Sequence, residues 1–176
     1  MQLLKIALNP TDVVYTPDWV AADMVSFFKP SGEILEPCCG DGAFLKYLPS
    51  ALWCEIEKGV DFFAWQTPVN WIVGNPPFST INLWMEHSFK FAENVLFLMP
   101  MNKPFNSLYR MKQILEYGDI RAIRAYGHGS LFGMDYGFAI GAFWLQRGYR
   151  GATEITIAET HLTKHAPDKG GRGSVL

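Results

Sequence analysis

Short apolar runs alternate with amphipathic stretches along most of the chain. Ile34-Leu35, Leu52-Trp53-Cys54 and Trp71-Ile72-Val73 are such runs, each closed by an acid or a glycine. They are too short for helices and predict strands over residues 33–36, 52–56 and 71–74, the first of them buried. A very short strand is expected at 61–63 and a longer one at 94–99, where Pro100 stops it. Residues 1–15 show little pattern. Residues 19–28 then mix Ala21, Ala22, Met24, Val25 and Phe28 at helical spacing. Thr16 is the expected N-cap, Pro17 fits the first helical position, and Pro30-Ser31-Gly32 ends the helix. Residues 43–48 read as a short helix. Residues 81–92 read as an amphipathic one carrying Leu83, Trp84, Phe89 and Ala92.

The second half is less regular. A helix is expected within 104–117, a strand at 119–125, a glycine-rich loop at 127–137 and a strand at 138–145. Gly141 inside that last strand implies close backbone packing or a bulge. Residues 153–158 read as an edge strand. Strand, loop and helix repeated with short linkers argue for an α/β fold: a largely parallel sheet, helices on both faces, right-handed connections. No internal repeat or long linker appears, so one domain is expected over 1–162. Residues 163–176, with a proline, three glycines and three basic residues, read as a mobile tail.

Length and composition narrow the class. One domain suits 176 residues, and 49% hydrophobic residues supply a real core. The net charge of -2 does not mark a chain that lives on phosphate contacts alone. Residues 1–99 carry a net -6 and residues 100–176 a net +4, so an anionic partner would prefer the second half. Ordinary solvated faces explain the same imbalance. Cys38, Cys39 and Cys54 make neither a disulfide framework nor a strong metal site, which points to a reducing compartment. No basic segment followed by a long apolar run opens the chain, and no apolar stretch is long enough to span a membrane.

Candidate chemistry gathers at the strand ends. Glu36-Pro37-Cys38-Cys39-Gly40-Asp41-Gly42 is a strand end feeding a glycine turn. It lacks the third glycine of the dinucleotide fingerprint and the Gly-Lys-Ser/Thr ending of a Walker loop, so phosphate cradling is disfavoured. Glu36, Glu55, Glu57 and Asp61 follow successive strands. Carboxylates so placed repel phosphate and can accept from ribose hydroxyls. They suit a ligand with a ribose and a positive charge, and S-adenosylmethionine fits that description. Asn75-Pro76-Pro77-Phe78 follows the next strand. Two prolines stiffen that loop and remove two N–H donors. Its free carbonyls, the Asn75 oxygen and the Phe78 ring can together grip a planar aromatic amine. Taken alone, the same four residues also suit a rigid turn with a core Phe.

In this order the motifs resemble the Rossmann-like S-adenosylmethionine-dependent methyltransferases, in particular the gamma-type DNA amino-methyltransferases that act on adenine. Tyr15-Thr16-Pro17 resembles the motif that precedes the sheet. The segment from Glu36 to Phe44 resembles the acidic-Pro-x-x-Gly-x-Gly-x-Phe loop. Glu55-Ile56-Glu57 resembles the ribose-binding motif and Asp61-Phe62-Phe63 the Asp-Phe-Phe motif. Asn75-Pro76-Pro77-Phe78 resembles the catalytic loop. The resemblance covers residues 14–100. It implies a mostly parallel seven-stranded sheet with an antiparallel C-terminal strand. It also implies cofactor contacts from Tyr15, Thr16, Pro17, Glu36, Pro37, Cys38, Gly40, Gly42, Phe44, Glu55, Glu57, Asp61 and Phe62. Cys38 departs from the small residue usual at its position, and no added target-recognition domain is visible.

The implied reaction moves a methyl group from S-adenosylmethionine to the exocyclic N6 amino group of adenine in DNA. Asn75 and the Pro76 carbonyl would accept from the amine, with Pro77 fixing the loop and Phe78 stacking on the base. The base must be flipped out or single-stranded. Lys103, Arg110, Arg121 and Arg124 are candidates for phosphate contacts, as is Lys112, while His128, Phe132 and Tyr136 could order over the base. His87 and His161 read as structural, and no metal is expected. RNA is the alternative substrate, and a non-catalytic binding module that keeps the fold is a further one. A cytoplasmic monomer or weak dimer from a phage or mobile element completes the expectation.

Overall fold

A computed structural model of the chain describes residues 14–134 and 138–159. Three helices and seven strands follow in the order α1 (Asp18–Phe28), β1 (Ile34–Glu36), β2 (Leu52–Trp53), β3 (Val69–Gly74), α2 (Ile81–Phe91), β4 (Ala92–Pro100), α3 (Leu108–Tyr117), β5 (Gly118–His128), β6 (Ala139–Arg147) and β7 (Glu154–Ile157). The strands form one sheet in the order β2-β1-β3-β4-β6-β5-β7. All pairings are parallel except those of β6 with β4 and β5. The expected mostly parallel seven-stranded sheet is present, but the antiparallel strand is β6 and not the C-terminal strand β7, which runs parallel to β5.

Strand β3 is buried at five of its six positions, and β4 is fully buried from Val95 onward. Continuous apolar runs of this kind mark strands covered on both faces. Trp144 and Phe143, neighbours on β6, point to opposite faces. Trp144 meets Phe28 of α1 edge-on, whereas Phe143 meets Phe105 from the segment leading into α3. Helix α1 thus covers one face. Helices α2 and α3 cover the other, where they also touch each other.

Several expected details differ. The segment 61–63 forms no strand. The Asp61 carboxylate accepts from the Phe63 N–H at 2.9 Å, and i→i+3 bonds turn Phe62–Ala64 into a 3-10 turn. These local bonds consume the donors that a sheet would need, so β2 remains the edge. Residues 43–48 make one turn and no helix: Tyr47 and Leu48 both donate to the Phe44 carbonyl, and Pro49 cannot continue the series. Helix α1 begins one residue late, with Pro17 at the cap position and its carbonyl accepting from Val20 and Ala21. Thr16 makes no cap bond there. Gly141 does mark a close approach, since a Cβ there would lie 2.5 Å from the Met101 sulfur, while the register shifts fall on β5. Residues 163–176, together with Tyr136 and His161, lie outside the described residues.

Candidate active site at the ends of β1 and β3

The first two strands after α1 step one way along the sheet and the next two step the other. The reversal falls between β1 and β3, the place where open parallel sheets bind ligands. Glu36 ends β1, and Asn75 follows the last residue of β3.

Glu36 is 2% exposed, and its Oε2 has no hydrogen-bond partner. Burial pushes its carboxyl up to about 8, with Glu55 adding to the rise and Lys58 opposing it. An unpaired buried acceptor is costly and calls for a donor. The glycine turn that follows is closed by a Gly42 N–H bond to the Cys39 carbonyl at 2.6 Å. Gly40 and Gly42 take φ of +48° and +80°, which side-chain-bearing residues rarely adopt. The Glu55 carboxylate accepts from the Gly40 N–H at 2.7 Å and from the Glu57 N–H at 3.3 Å. Glu55 and Gly40 are therefore brought together, while Glu57 and Ile56 project into solvent.

The second orphan acceptor lies beside this turn. The Asn75 Nδ2 donates to the Val14 carbonyl at 2.7 Å. That bond fixes the amide, so Oδ1 is the free end, and it is buried without a partner. The two loops touch. A Cβ on Gly74 would lie 2.9 Å from Pro37 Cδ and 3.8 Å from the Cys38 sulfur. Burial, with the Glu36 and Glu55 charges, holds the Cys38 thiol well above its ordinary range, so it behaves as an inert apolar group.

Other expected site residues fall in different places. Phe44 is core, and Phe78 is only 7% exposed. Phe62 is stacked on Trp84, with His87 and Phe63 on its edges, and is buried. His87 bonds the Trp65 carbonyl and packs on these rings. Tyr15 is exposed, and Thr16 and Pro17 are partly so. Val14 and Lys58 were not foreseen. Val14 gives no sequence signal, because its contribution is a carbonyl.

The basic candidates are dispersed. Arg110 is buried and donates to the Lys103 carbonyl, Asn82 and Asn106. Arg124 pairs with Asp23 of α1 through both Nε and Nη2, at 2.5 and 2.8 Å. These two guanidinium groups are spent inside the fold, which corrects their expected use on phosphates. Arg121 lies between the Trp144 and Tyr149 rings and bonds Gln146. His128 caps the following 3-10 turn, and Phe132 is buried beside Trp19. Among the described residues, no group of three His, Cys, Asp or Glu side chains could hold a metal ion. No helix among them is long and apolar enough to cross a membrane.

The chain has the fold of the class I S-adenosylmethionine-dependent methyltransferases, a mostly parallel sheet flanked by helices. Three solved structures illustrate it. A Listeria monocytogenes protein assigned as a class I S-adenosylmethionine-dependent methyltransferase is 14% identical, with TM-score 0.62, over 89% of this chain and 69% of that one. A Vibrio vulnificus protein assigned as the modification subunit of a type I restriction enzyme is 15% identical, with TM-score 0.57, over 88% and 49%. A Pyrococcus horikoshii protein assigned as an RNA methyltransferase is 11% identical, with TM-score 0.60, over 79% and 90%. The chain thus spans about half the length of the restriction-enzyme subunit. No family model and no curated protein matches the sequence.

Proposed function

We propose that the chain transfers a methyl group from S-adenosylmethionine to the exocyclic N6 amino group of adenine in DNA. The observation that carries this reading is the buried, unpartnered Asn75 Oδ1, aimed by the Val14 carbonyl and followed by two prolines. An acceptor in that state favours a ligand that brings an N–H donor, and an aromatic amine does so. The orphan Glu36 Oε2 and the open space over Gly40 fit a cofactor with cationic groups and a ribose. Glu55, whose carboxylate lies against the Gly40 N–H, would accept from the ribose hydroxyls. When bound, the cofactor supplies an electrophilic methyl group on a sulfonium.

The protein's own part is orientation and electrostatics. Asn75 Oδ1 accepts one N–H of the amine and the Pro76 carbonyl accepts the other. This turns the nitrogen lone pair toward the methyl group and stabilises the positive charge that builds on nitrogen. The nitrogen then sheds its proton to water. Phe78, whose ring is nearly buried beside Asn75, would offer the base only its exposed edge unless the loop moves. A base inside a duplex cannot reach this loop, so it must leave the stack.

The test is transfer of labelled methyl to unmethylated duplex DNA, single-stranded DNA and ribosomal RNA, each digested to nucleosides. Label in N6-methyladenine from DNA is the expected result. Label in RNA alone moves the substrate to RNA. Bound cofactor with no label in any nucleic acid overturns both.

A further inference from the structure

The glycine turn carries one charge that a site for a cationic cofactor does not require. The Lys58 Nζ donates to the Gly40 carbonyl at 3.0 Å and lies 3.5 Å from Cys39 Sγ. The Trp53 ring, 5.4 Å from the ammonium, flanks it. Glu55, three residues earlier on the same 3-10 turn, holds the Gly40 N–H. Both backbone polar groups of Gly40 are thus taken by side chains from one short segment. On its outer side Gly40 opens to empty space, with nothing within 4 Å of an added Cβ. The lysine therefore sits at the rim of the space that the cofactor would enter. Among the described residues, no carboxylate lies within ion-pair distance of it.

We propose that Lys58 is a specificity-determining residue of the cofactor site: tethered to the Gly40 carbonyl, its ammonium disfavours S-adenosylmethionine relative to the product, S-adenosylhomocysteine. The inference rests on the cofactor reading above. The two ligands share an adenosine, an ammonium and a carboxylate. They differ by one methyl group and one positive charge on sulfur. A fixed cation at the rim therefore separates them by charge, while every shared contact cancels in the comparison. The carboxylates of Glu36 and Glu55 set the same background field for every Lys58 variant and drop out when the variants are compared, and the Glu55 oxygens are turned to the Gly40 and Glu57 N–H groups. The Cys39 thiol is raised by burial and stays neutral.

The experiment compares dissociation constants of S-adenosylmethionine and S-adenosylhomocysteine for the wild type, Lys58→Met, Lys58→Gln and Lys58→Arg. A thermal melt confirms that each is folded. Neutralising the charge should lower the ratio of the two constants roughly three- to tenfold, through tighter binding of the sulfonium, and the effect should shrink at high salt. Lys58→Arg should keep the wild-type ratio. If both ligands bind and neither neutral variant moves the ratio, the Lys58 role is overturned while the methyltransferase reading stands. If the wild type binds neither ligand, the cofactor reading itself is wrong and this inference falls with it.

Discussion

Glu36 and Asn75 each bury an oxygen that has no donor, and each should betray itself in a separate measurement. Asn75→Ala removes the only side-chain acceptor proposed for the amine. Methyl transfer should fall about 10²- to 10³-fold with cofactor affinity retained, as for loss of one preorganised polar contact. Binding titrations alongside single-turnover rates check this. For Glu36 the sign follows from its raised carboxyl. Its ordinary value is 4.5 and its folded value is about 8, so the folded state holds the proton more tightly. The resulting stability is full below pH 4.5 and is lost as pH rises through about 8. The whole excursion is worth on the order of 5 kcal/mol as an upper bound. Glu36→Gln should abolish that decline, so its melting temperature should exceed that of the wild type at pH 9 and not at pH 4. Binding a cation should also drive Glu36 to ionise, so calorimetry near pH 7 in buffers of different ionisation enthalpy should show a proton released.

Among the elements, β1 and β3 depend on Gly74 for their close approach. Gly74→Ala drives a methyl group toward the Pro37 ring and should cost about 1–3 kcal/mol. Because the same contact sets the spacing of the glycine turn and the Asn75 loop, transfer should fall with it. Denaturant titration and kinetics on one preparation separate the two effects. Helix α1 depends on the Asp23–Arg124 pair, whose side chains are 16% and 14% exposed and which Tyr126 also bonds. Asp23→Ala leaves a guanidinium nearly buried and unpaired and should cost about 3 kcal/mol in denaturant titrations. This role of Arg124 was not legible in the sequence. The basic count of the second half said where arginines occur, and nothing in it marked Asp23, 101 residues away, as a partner. Strands β3 and β4 were legible, because burial on both faces leaves an unbroken apolar run, whereas the edge strands β2 and β7 are largely exposed. The segment 61–63 misled, because Phe62-Phe63 looks equally apolar in a strand and in a 3-10 turn, and the Asp61 side chain decides between them. Glu55 and Asn75 stood out because each follows a short apolar run, although β2, which precedes Glu55, is exposed at both positions. Val14 and Lys58 did not, since one acts through its carbonyl and the other through an ordinary exposed lysine.

For the whole molecule, the described arginines mostly serve the fold. Arg147 donates to the Phe89 and Ala92 carbonyls, and Arg150 to those of Gly118, Tyr149 and Leu115. Few guanidinium groups are left to neutralise phosphates. Binding to DNA should therefore weaken only gently with salt, with a log–log slope of about -2 to -3 for two or three phosphates. Single-stranded DNA should be the better substrate, because there is little binding energy to offset unstacking. Fluorescence anisotropy across a salt series and rates on both strand forms test these expectations.

The bond from Asn75 to Val14 joins residues 61 apart in the chain, and Val14 lies just ahead of the helix that Arg124 pins from far downstream. The amide at the end of β3 is thus aimed only after distant stretches of chain have met. Contacts of such long range pay their loop entropy before they return any stability, and they form late in folding. The reactive geometry should accordingly be the last feature assembled and among the first surrendered on warming. The fold can persist as a sheet with its helices in place while no longer competent to orient an amine.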